Sequence, residues 1–206
     1  MERCGAQVVS FVVSIVLARI LEPELYGTIA LVTVITSILQ VFVDSGMANA
    51  LIQKKDTDDL DYSSVFYFNV AFCLVLYIGL LYATPLISRI YGSSDLVPVI
   101  RVLGLTIVVS GVKNVQQAYV SKTMQFRRFF FSTLGGTLFS AVVGITMAYR
   151  GFGIWALVAQ QLLNVTVNTA ILWLTVGWKP KLMFSLRRLG GLVSYGWKLL
   201  ASALLD

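Results

Sequence analysis

Histidine is absent from the 206 residues, and cysteine occurs only twice, at Cys4 and Cys73. The first absence removes the commonest general base and metal ligand. The second leaves too few thiols for a disulfide framework or a thiolate metal site. Charge is scarce too: Asp, Glu, Lys and Arg make up 13% of the chain, against about 25% in a soluble domain. No cofactor, no metal and no catalytic residue is assigned.

What fills the space is apolar, 57% of residues where about 45–50% is usual. A transmembrane helix needs about 20 mostly apolar residues. Six such spans are expected, at residues 4–21, 25–43, 62–88, 97–121, 129–149 and 151–178. A seventh starts at Leu189 and carries Lys198. The expected fold is an all-α integral membrane protein of six transmembrane helices in three hairpins, plus the start of a seventh. Residues 1–178 would form the bundle, and 179–206 a basic cytoplasmic linker leading into that seventh helix.

The net charge of +6 reads as topology before it reads as nucleic-acid binding, which is not expected. Sorted by loop, Arg3, Lys54, Lys55, Lys122, Arg127, Arg128, Lys179, Lys181, Arg187 and Arg188 fall on one side. Arg19, Arg89, Arg101 and Arg150 fall on the other. The positive-inside rule then places the N-terminus in the cytoplasm. A cleaved signal peptide is not expected, since no small-residue cleavage site follows the first apolar run. The outer turns share an aromatic-Gly pair, at Tyr26-Gly27, Tyr91-Gly92 and Phe152-Gly153. Their near-even spacing suggests three similar hairpins, and internal repeats are common in secondary transporters.

Polar residues inside the spans fall into stripes with steps of three and four, which put each set on one helical face. The second span has Thr33, Thr36, Ser37, Gln40 and Asp44; the fourth has Thr106, Ser110, Lys113, Gln117 and Ser121. The fifth has Thr133, Thr137 and Ser140, and the sixth Gln160, Asn164 and Asn168. Hydroxyls in membrane helices mostly satisfy backbone carbonyls, and Gly136-Ser140-Gly144 reads as a small-residue packing face. The amides Gln40, Gln160, Asn164 and Asn168 leave two readings open, interhelical bonding or a wet cavity. The third span is nearly devoid of such groups and is expected to face lipid.

Cations narrow the choice. A central charge costs about 2.5–3.5 kcal/mol on insertion scales, less where the side chain snorkels. Arg19 and Arg101 lie near the outer ends of their spans, where snorkelling and cavity lining both remain open. Lys113 lies deeper, with Gln116 and Gln117 one turn on, and reads as cavity-lining. No mid-span carboxylate balances these groups, so the passage would tolerate anionic cargo.

Several segments then carry a resemblance. LARILEPELYG (17–27), VFVDSGMANALIQKKD (41–56), SSVFYFN (63–69), GFGIWALVAQQ (151–161) and YGWKLL (195–200) occur in order along the chain. Together they resemble the bacterial oligosaccharide and O-antigen flippases of lipopolysaccharide biosynthesis, within the multidrug/oligosaccharidyl-lipid/polysaccharide exporter superfamily. The resemblance implies two six-helix bundles around a V-shaped cavity, of which this chain would supply the first and a fragment of the second. It implies translocation of an undecaprenyl-diphosphate-linked oligosaccharide across the bacterial inner membrane by alternating access. It also implies a polysaccharide polymerase and glycosyltransferases as partners, besides the lipid-linked oligosaccharide and the bilayer. On this reading Arg19, Arg101 and Lys113 would attract the diphosphate and any acidic sugars. Gln40, Gln160, Asn164 and Asn168, the amides of the second and sixth spans, would meet sugar hydroxyls, and Gln117 would line the same cavity.

Besides a non-transporting membrane scaffold, two other functions are compatible with the pattern. A cation-coupled drug exporter of the same superfamily would be expected to hold carboxylates in the bundle. An integral-membrane glycosyl- or phosphotransferase would need paired carboxylates at the membrane face, and DTDDLD (56–61) is the one candidate. The alternative for that run is a solvated loop.

Overall fold

The computed structural model describes residues 2–44, 47–54, 56–93 and 95–191, and among these the regular structure is entirely helical. In order the helices are α1 (Glu2–Ile20), α2 (Pro23–Asp44), α3 (Met47–Gln53), α4 (Asp59–Tyr91), α5 (Leu96–Lys122), α6 (Phe126–Tyr149) and α7 (Ile154–Thr175). The six expected spans correspond to α1, α2, α4, α5, α6 and α7. Five helical segments are long and apolar enough to cross a membrane, and the apolar part of α1, Gln7–Ile20, is shorter. The chain is a multi-pass membrane protein. Most of the expected seventh span, with Lys198, lies outside the described residues, as does Lys55.

Local chemistry sets the helix ends. Pro23 opens α2 at the first helical position, where the missing N–H would have had no partner. At α4 the backbone N–H of Asp58 donates to the Asp61 carboxylate, 3.2 Å away, closing the helix entry. Its other end stops at Gly92, whose φ of 66° is left-handed, a conformation that glycine adopts without strain. The 33 residues between span about 50 Å. That exceeds a hydrocarbon core of about 30 Å, so α4 carries turns beyond the membrane.

Packing follows the small residues. A Cβ at Gly111 would sit 2.5 Å from Cys73 Sγ, which holds α5 tight against α4. A Cβ at Gly136 would meet the Asn164 carbonyl oxygen at 2.9 Å, and one at Gly144 the Gln160 Cβ at 3.0 Å. The expected packing face of α6 is thus pressed on α7. The α4–α5 and α6–α7 hairpins are close-packed pairs, whereas α1 lies on α6 and α2 on α5. The first hairpin is therefore splayed. Its turn is tight, with Leu25 N–H bonded to the Glu22 carbonyl at 3.1 Å, but each arm finds its apolar partner elsewhere.

One end of the bundle gathers the basic loops. There the short α3, expected only as loop, buries Ala50 and Leu51 with Tyr62, Val115, Trp178 and Leu189. At the other end and through the middle a second core forms around Leu17, Val32, Cys73, Ile100, Leu103, Ile107 and Leu157.

Candidate functional site

Between α2, α5 and α7 lies a cleft in two parts. One, of about 490 Å3, is lined by Thr33, Thr36, Ser37, Gln40, Val41, Asn49 and Thr106. The other, of about 430 Å3, is lined by Gln40, Thr106, Ser110, Lys113, Gln160, Gln161, Asn164 and Val165. Gln40 and Thr106 belong to both, so the parts are continuous. Among the described residues no Asp or Glu lines either part.

The polar stripes produce this lining, and backbone bonding decides what it offers. Thr36 donates its hydroxyl to the Val32 carbonyl at 3.0 Å and Ser37 to that of Val34 at 2.9 Å. Thr106 donates to the Leu103 carbonyl at 2.5 Å. A hydroxyl has one proton, so these three spend their donor within the helix and keep acceptor lone pairs. Asn164 turns its Nδ2 to the hydroxyl oxygens of Ser140 and Thr137 on α6, at 3.3 and 3.4 Å. The cleft is therefore lined by acceptor oxygens, amides and one ammonium group, Lys113. Such a surface suits a polyhydroxylated molecule bearing negative charge.

Of the eight residues read from sequence, Gln40, Lys113, Gln160 and Asn164 come together here. The other four are elsewhere. Arg19, in the last turn of α1, and Arg101, in the second turn of α5, are exposed and outside the lining. The Arg101 carbonyl accepts the Tyr77 hydroxyl at 3.1 Å, which ties that turn to α4. Gln117 is half-buried and outside both parts. Asn168 is buried where α7 meets Gly136, a packing position. Asn49 and Gln161 line the cleft without having been singled out. Gln161 follows Gln160 in a stripe that steps of three and four would not pair, and Asn49 sits in what reads as a loop.

The acidic run is solvated in part, with Asp56 and Asp58 exposed, and closed in ion pairs in part. Asp61 is fully buried, with Lys54 Nζ at 2.6 Å and Arg188 Nη1 at 3.6 Å. Lys181 pairs with Asp59 at 2.5 Å and Arg188 with Asp58 at 2.9 Å. The hydrogen bond to Asp58 and the charge of Asp61 hold the Arg188 guanidinium above its ordinary pKa. Lys122 donates to the carbonyls of Leu51 and Lys54 and, at 2.7 Å, to Thr57 Oγ1. The run is the seat on which the segment after α7 is fastened.

With the geometry in view, comparison with known proteins decides the family. A family model described as polysaccharide biosynthesis protein matches residues 16–206. The chain belongs to this family. A succinoglycan biosynthesis transport protein of Rhizobium meliloti (strain 1021) is 27% identical over 203 residues, covering 98% of this chain and 41% of its own length. A lipopolysaccharide biosynthesis protein of Escherichia coli (strain K12) is 27% identical over 198 residues, covering 93% of this chain and 39% of its own. A teichuronic acid biosynthesis protein of Bacillus subtilis (strain 168) is 23% identical over 173 residues, covering 83% and 36% respectively. The chain thus spans about two fifths of these relatives' length. No solved structure matches it significantly. As a polysaccharide biosynthesis family member, it agrees with the resemblance carried by LARILEPELYG and the segments after it.

Proposed function

We propose that this chain is the first bundle of a flippase that moves undecaprenyl-diphosphate-linked oligosaccharide across the bacterial inner membrane. It works by alternating access, with the basic end and the N-terminus in the cytoplasm. The observation that carries the reading is the cleft in which Lys113 stands among Gln40, Gln160 and Asn164, with no acidic lining residue among the described residues. An ionisable side chain at membrane depth that faces a polar cleft is the usual mark of a substrate path, and the charge of Lys113 would attract a diphosphate. The acceptor-rich part beside it, with Thr36, Ser37 and Asn49, suits the hydroxyl groups of the attached sugars. The relatives' names favour transport and polysaccharide assembly.

Two alternatives fare less well. A cation-coupled drug exporter would use carboxylates in its passage, and the polar groups of the described cleft residues are amides, hydroxyls and a lysine. A glycosyl- or phosphotransferase would need Asp58, Asp59 and Asp61 open to substrate, and all three are in ion pairs. The test is charge removal in a strain whose surface glycan depends on this protein. Lys113→Gln should cut surface glycan at least about tenfold, the weight of one charge-assisted contact, with membrane insertion unchanged. Arg101→Gln, outside the cleft, should leave it near normal. Wild-type glycan with Lys113→Gln would overturn the site.

A further inference from the structure

Beyond α7 the chain does not leave the bundle. Residues 178–189 run as a strap across the start of α4, and their side chains divide by position. Trp178 is buried, donates from Nε1 to Asp59 at 3.2 Å and accepts from Gln116 at its carbonyl at 3.0 Å. The Lys181 N–H donates to Ser63 Oγ at 3.1 Å, and the Ser185 N–H to Ser64 Oγ at 3.0 Å. Arg188 pairs with Asp58, and Leu189 is buried in the core at this end. The anchors thus fall at 178, 181, 185 and 188, three or four residues apart, with Leu189 directly after the last.

Apart from the half-buried Pro180, the residues between them face out. Leu182 is 95% exposed and Leu186 73%, with Met183 and Phe184 exposed beside them. Lys179 and Arg187 flank this row, are exposed, and make no ion pair among the described residues. The aspartates neutralise the strap's inner cations, Lys181 and Arg188, and so leave the outward charge purely positive. Four adjacent exposed apolar side chains in water are unfavourable. The strap begins three residues after α7 ends at Thr175, at the level where the helices leave the bilayer. Apolar side chains bordered by Lys and Arg at that depth have the composition of an interfacial anchor.

We propose that the outward face of this strap, Leu182, Phe184 and Leu186 with Lys179 and Arg187, docks on an anionic bilayer leaflet. The apolar groups enter the boundary between headgroup and acyl chain, and the two cations meet lipid phosphates. The aspartate seat sets the strap's rotation, so that the basic residues reaching lipid are those without an acidic partner. This holds whatever the cleft transports.

The experiment places a fluorophore at Leu182→Cys or Leu186→Cys in the full chain, with Cys4 and Cys73 replaced by alanine. The protein is reconstituted in nanodiscs of phosphatidylcholine with or without phosphatidylglycerol. Quenchers in the acyl region should reach both labels in the anionic discs, and aqueous iodide should not. Lys179→Gln with Arg187→Gln should lower the docked fraction in anionic discs, on the order of fivefold for each charge removed, while unfolding in micelles stays unchanged. Labels quenched by iodide alone in both discs would overturn the proposal. Labels shielded from iodide equally in detergent and in discs would show that protein covers the face, and would overturn it too. Docking that is identical with and without phosphatidylglycerol would overturn the anionic preference.

Discussion

The basic end and the cleft are both rich in polar groups, and they use them in opposite ways. At the basic end the groups meet each other: Lys54 and Arg188 converge on Asp61, Lys181 on Asp59, and Lys122 on two carbonyls and Thr57. In the cleft three hydroxyls turn inward to their own helices, and the described lining residues include a lysine and no carboxylate. Polar groups closed upon one another rigidify a structure, whereas groups left facing a cavity are available to a ligand. On the proposed function the first region bears on stability and the second on transport, and substitutions should separate the two.

The largest expected effect is at Asp61. Removing both its cationic partners with Lys54→Ala and Arg188→Ala leaves a fully buried carboxylate with only the Asp58 N–H, which should cost about 3–5 kcal/mol. Adding Asp61→Asn removes the stranded charge and should recover part of that loss. Equilibrium unfolding in mixed micelles reads both. A double variant as stable as the parent would erase the contrast between the two regions.

Next comes the cleft's wall, which is held by close packing. Gly136→Val would press on the Asn164 carbonyl and the Asn168 backbone nitrogen, 2.9 and 3.2 Å from the new Cβ. Backbone atoms cannot swing aside, so overpacking should cost about 1–3 kcal/mol. The α6–α7 pair should loosen, seen as faster amide exchange along α7. Unchanged exchange would mean that the helices are set by something other than this contact.

How much of this was legible in the sequence depended on the range of the interaction. The helices rest on local hydrophobic runs, and the stripes at Thr33, Gln40, Lys113 and Asn164 rest on a period of three to four, so both could be read. Asn164 is recognisable as polar in an apolar span, but so is Asn168, one turn on and buried at Gly136. Only the close approach of α6 tells a packing amide from a lining one. Arg101 and Lys113 are both cations in α5, twelve residues apart, and helical phase relative to α2 and α7 separates them. The acidic run pairs with residues 122 and 130 positions away. No local pattern announces such a contact, although complementary charge in DTDDLD and KPKLMFSLRR hints at it.

A smaller effect is expected at the rim of the basic end. Lys181 and Asp59 sit about half exposed, where water and salt weaken the attraction. A double-mutant cycle with Lys181→Gln and Asp59→Asn should give a coupling of about 0.2–1 kcal/mol that shrinks as salt is raised. A coupling equal to that at Asp61 would mean that burial does not grade the network.

The smallest change in stability is expected in the cleft, at Thr36→Val. The substitution keeps shape and removes a hydroxyl whose proton goes to the Val32 carbonyl at 3.0 Å. That back-bond slightly disfavours a helix, so stability should move by less than about 0.5 kcal/mol. What the cleft loses is an acceptor for a ligand hydroxyl. A neutral hydrogen bond of this kind is worth about 0.5–1.5 kcal/mol, which predicts a fall in glycan transport of about two- to tenfold. The same swap at Thr146 is the control, because its hydroxyl makes the same kind of bond, to the Val142 carbonyl, on an exposed stretch of α6. Equal losses at Thr36 and Thr146 would show that the effect comes from the helix and not from the cavity. A loss at Thr36 alone would place a ligand hydroxyl beside α2, and with it the uncharged part of the cleft on the path of the sugars.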